Sequence, residues 1–209
     1  MQTTDYRPSP YDVRHIFHAS GTDDLPFGAG KKFLNISPLL NRVVGGWTLG
    51  TIMWFQSGPP SQVSGGYATV NTADSGVVFQ SSFTAAQLQS AVGVHRGSNP
   101  WVLTIDPNLI GANGGISSNY YVPNTIPGFL AYRPYVYGPH WFNADMSINK
   151  SVQIREGIRF TLQAQLLNVF NHATFSLGGL GATSLSFSQV TGIGPTQPRR
   201  IEFRANIEF

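Results

Sequence analysis

The stretch that decides the fold is RRIEFRANIEF, residues 199–209. Side chains alternate between the two faces of a β-strand, so residues two apart in the sequence share a face. After the first residue, the odd positions are all apolar: Ile201, Phe203, Ala205, Ile207 and Phe209. The even positions are all polar: Arg200, Glu202, Arg204, Asn206 and Glu208. This separation predicts a strand with one face in an apolar medium and the other in a polar one.

The same alternation occurs in two stretches upstream. In 158–166, one face carries Ile158, Phe160, Leu162, Ala164 and Leu166, and the other carries Arg159, Thr161, Gln163 and Gln165. In 142–152, Lys150 interrupts an apolar face made of Phe142, Ala144, Met146, Ile148 and Val152. The opposite face is polar throughout: Asn143, Asp145, Ser147, Asn149 and Ser151. Between the two stretches, Arg155-Glu156-Gly157 predicts a tight hairpin turn.

Two earlier stretches alternate less regularly. In 46–57, Ile52 and Trp54 make the second face partly apolar, opposite the face that carries Trp47, Leu49, Met53 and Phe55. In 14–25, the apolar residues are divided between the faces. We therefore predict five strands, at about 14–25, 46–57, 141–153, 157–170 and 199–209. The regular ones have about the 9–11 residues that a tilted strand needs to cross a bilayer.

The composition is unusual for a soluble globular protein. Charged residues make up 11% of the chain, against roughly 25% in ordinary globular proteins. No run of about 18 apolar residues is present, which excludes a transmembrane helix. The formal charge is only +3 and the basic residues are scattered, so no nucleic-acid partner is expected. Cysteine is absent, which removes disulfides and thiolate metal sites.

The connections between the predicted strands alternate in length. The turns at 26–45 and 155–157 are moderate and short, whereas 58–140 and 171–198 are long and contain Gly-, Pro-, Ser- and Asn-rich stretches. Outer-membrane barrels have short periplasmic turns and long extracellular loops. If Phe209 lies at the periplasmic rim, both long connections are extracellular loops.

The predicted fold class is all-β: an antiparallel up-and-down transmembrane β-barrel segment of about five strands, with long extracellular loops. Short helices are expected at 84–93, capped by Thr84 and ended by Gly93, and at 38–44. Five strands cannot close a barrel, and an open edge in lipid leaves backbone groups unpaired at several kcal/mol each. The first residues also lack the basic and apolar regions of a signal peptide. We therefore expect the carboxyl-terminal part of a longer barrel.

Several short motifs, spread over nearly the whole chain, match those of one family. They are Asp24-Leu25-Pro26-Phe27-Gly28, Gly45-Gly46-Trp47, Phe55-Gln56-Ser57-Gly58-Pro59-Pro60, Asp106-Pro107, Tyr137-Gly138-Pro139, Asn143-Ala144-Asp145-Met146-Ser147, Leu166-Leu167-Asn168-Val169-Phe170-Asn171-His172 and the terminal Phe209. In these residues the chain resembles the carboxyl-terminal barrel portion of TonB-dependent outer-membrane transporters. The resemblance is greatest to the Oar-like subgroup, which carries a carboxypeptidase-regulatory-like domain. The Asn-Val-Phe-Asn-His stretch and the terminal strand are the most specific parts.

This resemblance implies a bacterial outer-membrane protein that binds and imports a scarce ligand, such as a siderophore, cobalamin or a glycan. Such a barrel has about 22 strands and a plugged lumen, so the chain would be roughly its last quarter. The implied partners are outer-membrane lipid, the rest of the barrel with its plug domain, TonB, and the barrel-assembly machinery. That machinery would recognise a terminal signal made of Ile201, Phe203, Ile207 and Phe209, although a lipid-facing strand alone also accounts for these residues.

The polar strand faces supply candidates for a barrel lumen, where they could contact a plug or line the translocation path. These candidates are Asn143, Asp145, Asn149, Arg159, Gln163, Gln165, Arg200, Glu202 and Arg204. For Arg159, Glu202 and Arg204 a simpler expectation is ion pairing across adjacent strands. Aromatic residues near strand ends, such as Trp47 and Phe170, fit a girdle at the membrane interface. The loop aromatics could stack on a ligand or pack the loop against itself: Tyr120, Tyr121, Phe129, Tyr132, Tyr135 and Tyr137.

We find no sequence arrangement typical of catalysis and expect no enzyme activity, resident metal or cofactor. The Gly28–Lys32 stretch resembles a phosphate-binding loop, but it lacks the first Gly and the final Ser or Thr. Two other functions stay open. One is a passive porin-like barrel, and the other is a secreted β-sandwich module that binds carbohydrate.

Overall fold

The computed structural model describes residues 8–9, 11–34, 37–70, 75–80, 82–97, 101–192 and 194–209. The chain divides into two compact units. The sheet unit comprises Phe17–Phe55, Phe142–Ala173 and Thr196–Phe209. The loop unit comprises Met1–Ile16, Gln56–Trp141 and Thr174–Pro195.

Within the described residues most of the regular structure is β-strand. The strands are β1 (Ile16–Asp24), β2 (Trp47–Gln56), β3 (Pro60–Gln62), β4 (Val77–Phe79), β5 (Val92–Arg96), β6 (Val102–Ile105), β7 (Tyr121–Pro123), β8 (Tyr135–Tyr137), β9 (Trp141–Arg155), β10 (Ile158–Leu167) and β11 (Arg200–Glu208). The helices are α1 (Pro38–Val44), α2 (Ala85–Ser90) and a 3-10 helix, Pro107–Leu109.

The sheet unit is built on one five-stranded sheet, in the order β1-β2-β9-β10-β11. These strands are also consecutive in the chain once the loop-unit segments are set aside, so they form a meander. The pairs β9–β10 and β10–β11 are antiparallel. The predicted fold class, antiparallel β-structure with a few short helices, is confirmed. Across the described residues β1 and β11 are the outer strands of the sheet, which does not close into a barrel.

The register of the sheet separates an apolar from a polar face. Phe160 of β10 lies opposite Val152 on one side and Ile207 on the other. Its neighbour Thr161 lies opposite Ser151 and Asn206. A shift of one residue would exchange the faces, so this register is the one that keeps apolar residues together.

The short turn between β9 and β10 takes the form that its sequence predicts. Gly157 adopts a φ of 78°, a conformation that glycine reaches without the steric cost of a Cβ atom. The pairing shifts by one position just after the turn, between Ile158 and Arg159. Beyond this irregularity the β9–β10 ladder is continuous, so the turn sets the register of the whole hairpin.

The loop unit has a hydrophobic core of its own. Three two-stranded sheets, β3–β8, β4–β7 and β5–β6, are found in its described residues. The buried core cluster consists of Val63, Val77, Leu88, Ile105, Leu109, Ile116, Tyr121, Val136, Leu180 and Phe187. Because Leu180 and Phe187 come from the second long connection, both connections contribute to one packed unit.

Helix α2 begins where the sequence predicts but ends earlier. Thr84 and Gln87 form a reciprocal capping box at its start, which satisfies two backbone donors of the first turn. The prediction that Gly93 ends the helix is wrong, because the last helical residue is Ser90. Val92 already belongs to β5, which pairs with β6. Val92 and Gly93, which the sequence alone assigns to the helix, are therefore held in a strand by its hydrogen bonds to β6. Helix α1 occupies the predicted range.

Two adjacent residues of β10 test the face assignment. We expect Phe160→Arg to reduce membrane insertion by about 2–4 kcal/mol if the site is near the bilayer midplane, because its cross-strand neighbours are apolar. Thr161→Arg is the matched control, since it lies between Ser151 and Asn206 on the polar face. The measurement is the fraction of protein assembled in the membrane and its urea midpoint. Equal losses in the two variants would contradict the assigned faces.

Candidate functional site on the polar face of the sheet

The sheet brings the predicted lumen residues onto one face. Gln163 lies opposite Asn149 and Arg204, and Gln165 lies opposite Ser147 and Glu202. Through the period of two along each strand, the same face carries the other predicted residues, Asn143, Asp145, Arg159 and Arg200. The structure therefore assembles these candidates into one polar surface. Their contact with a lumen or a plug stays a prediction.

A hollow of about 470 Å³ lies on this polar surface. It is lined by residues of β1, β2, β9 and β10, most of them small or polar, including Ser20, Gly21, Thr22, Gly50, Asp145, Ser147 and Gln165. A Cβ atom on Gly50 would approach Ser147 Oγ to 2.6 Å, so only glycine fits there without displacing the serine. Small side chains thus leave room on this face for another polypeptide segment or a solute.

Asp145 is the carboxylate at the centre of the hydrogen bonds on this face. Its Oδ1 atom accepts from Asn143 Nδ2 at 3.0 Å and from the backbone N–H of Asn168 at 2.7 Å. Hydrogen bonds to a charged acceptor are typically stronger than neutral ones. Asp145 therefore joins the start of β9 to the end of β10.

Asn168 continues this network at the end of β10. It is 5% exposed and has a φ of 48°, which Asn tolerates better than most residues. Its Nδ2 donates to the carbonyls of His172 at 3.1 Å and Gln197 at 2.8 Å, and its Oδ1 accepts from the His172 N–H at 2.9 Å. The side chain thus fastens the segment entering β11 to the segment leaving β10.

Asn171 repeats the arrangement three residues later. Its φ is 51°, and its N–H donates to the Asn168 carbonyl at 2.8 Å to close a tight turn. Its Oδ1 accepts from the N–H of Arg199 at 3.1 Å. The Asn-Val-Phe-Asn-His motif, for which the sequence indicated no physical role, is therefore a polar clasp between two strands.

The expected ion pairing across strands is not what the structure shows for Glu202. Glu202 Oε1 lies 2.7 Å from Arg200 Nε, two residues away on the same strand. Residues two apart share a strand face, so this partner is reached without crossing to β10. The side chains are 67% and 44% exposed, and solvated pairs of this kind contribute at most about 1 kcal/mol.

The four residues of the predicted terminal signal are exposed on β11 and at the end of the chain. Ile201, Phe203, Ile207 and Phe209 are 51%, 76%, 54% and 93% exposed. Such exposure is unusual for large apolar side chains in contact with water. It is compatible with lipid or with the barrel-assembly machinery, and recognition by that machinery stays a prediction.

The loop aromatics mostly pack against the loop unit itself. Tyr121 is 1% exposed, and its ring makes edge contacts with Phe79 at 5.6 Å and Phe187 at 6.2 Å. Ligand stacking is therefore the wrong interpretation for Tyr121 in this conformation. Tyr120 packs on Phe83, with ring centroids 5.0 Å apart.

The other three predicted tyrosines are differently placed. Tyr135 donates its hydroxyl to Gln62 Oε1 at 3.2 Å. Tyr137 donates to Asp12 Oδ2 at 2.7 Å, and the Arg14 guanidinium lies 3.7 Å from its ring centroid. Tyr132 is 58% exposed, so it keeps a surface for a ligand.

The structure adds one aromatic candidate that the sequence did not single out. Trp101 is 51% exposed and borders a hollow of about 240 Å³ in the loop unit, together with Leu103, Phe187 and Gln189. Its position beside the buried Phe187 depends on contacts distant in sequence. The only signal in the sequence is a tryptophan within a long loop.

Comparison of the chain with known proteins indicates its family. A family model described as an outer membrane beta barrel domain matches residues 1–202. No curated protein and no solved structure matches the chain. Among the described residues, no helix is both long and apolar enough to span a membrane.

The Asn168 clasp is testable by two substitutions at one position. Asn168→Ala removes three side-chain hydrogen bonds of about 1 kcal/mol each, so we expect an unfolding free energy lower by about 3 kcal/mol. Asn168→Gly removes the same bonds but suits the positive φ, so its loss should be smaller. The measurement is urea unfolding of the membrane-assembled protein. Asn171→Ala, which removes one such bond, is the control, and an effect equal to that of Asn168→Ala would contradict the clasp.

The Tyr121 hydroxyl is buried and has no hydrogen-bond partner in the described structure. Since such a group costs about 1–3 kcal/mol, we expect Tyr121→Phe to leave loop-unit stability unchanged or raise it by about 1 kcal/mol. The measurement is protection of 58–140 from proteolysis in urea. Tyr120→Phe is the control, because the Tyr120 hydroxyl donates to the Asn108 carbonyl at 3.4 Å. A clear loss in Tyr121→Phe alone would show that its hydroxyl has a partner.

The same tyrosine gives a pH dependence. Burial raises the pKa of Tyr121 above its ordinary value, so the unfolded chain releases this proton at a lower pH than the folded one does. The free energy of unfolding is therefore unaffected by this ionisation below about pH 10, and it declines as the pH rises above that value. Tyr121→Phe should show the smaller decline when proteolysis is repeated over this range. Parallel curves for the two proteins would be the contrary result.

Proposed function

The chain belongs to the outer membrane beta barrel domain family, and from that premise we propose that it forms part of a TonB-dependent transporter. Its location is the bacterial outer membrane. In this proposal the five-stranded sheet is part of the barrel wall, and the loop unit is part of an outer vestibule that captures a scarce ligand of the siderophore, cobalamin or glycan type. The secreted β-sandwich alternative does not agree with the family.

The observation that carries the proposal is the hollow on the polar face of the sheet. Residues such as Gly50 and Ser147 are too small to fill a barrel interior, and the hollow that they help to line measures about 470 Å³. A wide barrel leaves either an open aqueous channel or a lumen occupied by a plug. Hydrogen-bonding groups such as Asp145 and Gln165 suit contact with a polar plug surface.

The apolar face has the properties of a lipid-facing surface. On β11 it presents Phe203 and Ile207, which are more than half exposed, and on β10 it presents Phe160 opposite Ile207. Contact between such apolar side chains and lipid is favourable, whereas their exposure to water costs free energy. We therefore assign this face to lipid and the opposite face to the lumen.

The loop unit supports capture rather than simple diffusion. Its core cluster holds segments of both long connections in one packed structure, and a fixed surface loses less entropy when a ligand binds than a disordered loop does. Trp101 and Tyr132 remain exposed on it. Aromatic rings of this kind stack on sugars and on planar chelates.

The orientation follows from the lengths of the connections. With Phe209 at the periplasmic rim, the loops at 58–140 and 171–198 lie outside the cell, and the turns at 26–45 and 155–157 face the periplasm. Ile207 and Phe209 then lie at the periplasmic end of the last strand, where the barrel-assembly machinery would recognise them. TonB would act from the same side, on a segment outside these residues.

A cysteine-labelling experiment separates a plugged transporter from a porin, because the chain has no cysteine of its own. We expect Ser147→Cys, in the hollow, to react slowly with a membrane-impermeant maleimide in the intact protein, since a plug covers it. Glu156→Cys in the exposed hairpin turn is the control and should react fast. The intact protein should also retain the periplasmic domain of TonB on a column.

A porin gives the opposite results in the same experiment. Its open lumen would let Ser147→Cys react about as fast as Glu156→Cys, and the TonB domain would pass through the column unretained. That combination would overturn the transporter proposal and leave the outer-membrane barrel intact.

A further inference from the structure

The connection between β1 and β2 carries an apolar surface that no described residue covers. Leu39, Leu40 and Val43 of α1 are 75%, 49% and 67% exposed. Residues three and four apart lie on the same side of a helix, so Val43 is a neighbour of both leucines. Phe33 and Leu34, just before the helix, are 47% and 48% exposed.

The carboxyl end of α1 is fixed to the apolar side of the sheet. Trp47 Nε1 donates to the Val43 carbonyl at 3.0 Å, and Lys150 Nζ donates to the carbonyl of Gly45. The Lys150 ammonium also lies 5.3 Å from the Trp47 ring centroid. Lys150 is opposite Leu162 in the register, so it belongs to the apolar face that we assign to lipid.

These contacts explain the one polar residue in the apolar pattern of β9. Lys150 is 7% exposed, and its ammonium group contacts an aromatic ring and the carbonyl of Gly45, the residue that caps the carboxyl end of α1. Cations are favoured at the carboxyl end of a helix and over the face of a tryptophan ring. The lysine therefore holds the carboxyl end of α1 beside the surface that we assign to lipid.

Basic residues lie near the exposed apolar residues of the β1–β2 connection. Arg42 lies in the last turn of α1 and is exposed. The Lys32 ammonium lies 5.2 Å from the Phe33 ring centroid, and Lys31 pairs with Asp24 at 3.4 Å. Lys and Arg next to apolar side chains match the interface of a bilayer, where acyl chains meet anionic phosphates.

We propose that α1 is an interfacial anchor, lying in the headgroup region of the periplasmic leaflet with Leu39, Leu40 and Val43 against the acyl chains. The molecule that covers this apolar surface is therefore phospholipid. The proposal rests on the assignment of the apolar face to lipid. By fixing the rim of the wall at the leaflet boundary, the helix sets the depth of β1 and β2 in the membrane.

Single-cysteine fluorescence tests this anchor in the full protein, reconstituted in vesicles of phosphatidylethanolamine and phosphatidylglycerol. An environment-sensitive dye is attached at Leu39→Cys, and spin-labelled lipids quench it from a shallow or a deep position. We expect blue-shifted emission and strongest quenching by the shallow label. A dye at Phe160→Cys, on the face that we assign to lipid, should also be quenched by the lipid labels, and one at Glu156→Cys should remain in water.

The two reference positions separate the possible failures. If the Phe160 dye is quenched but the Leu39 dye is not, α1 does not lie in lipid and the anchor is overturned, while the assigned face stands. A blue shift at Leu39 without quenching would mean that protein covers the helix, which also overturns it. If neither dye is quenched, the face assignment fails as well.

Discussion

In a bilayer no water is available to the N–H and C=O groups of the main chain, so each strand has to pair with a strand on both sides. The meander β1-β2-β9-β10-β11 satisfies this condition for its three inner strands. Once the backbone is paired, the period of two assigns every side chain to lipid or to the opposite surface. The register between Phe160 and Ile207 then decides which residues of β10 and β11 lie on the polar face.

The sequence predicted the parts of the fold that two different solvents impose. The segments 158–166 and 199–209 could be recognised as strands because the polarity of nearly every residue indicates the face on which it lies. In contrast, β1 alternates poorly and is placed by its neighbour: the Leu25 N–H, just beyond it, donates to the Trp47 carbonyl at 2.9 Å. The core of the loop unit could not be predicted, since residues as distant in sequence as Leu88 and Phe187 belong to one buried cluster, which no local pattern encodes.

Residues that break a local rule carry much of the specific structure. Lys150 interrupts an apolar face and holds a helix end. Asn168 has a positive φ and joins the segment leaving β10 to the segment entering β11 through one side chain. Gly50 weakens a strand and leaves room for the polar hollow. Local inconsistencies of this kind are expected where function or long-range contacts constrain a chain, so they are informative positions for mutagenesis.

The order of segments in the loop unit has a consequence for how the protein is made. Thr104 bonds to Ser188, 84 residues later, and Tyr137 bonds to Asp12 across 125 residues. Contacts between such distant residues form slowly, and this core is incomplete until 174–195 has joined it. That segment follows β10 in the chain. During biogenesis the loop unit therefore completes its core only after β10 has been synthesised, so the folding of this unit depends on nearly the whole chain.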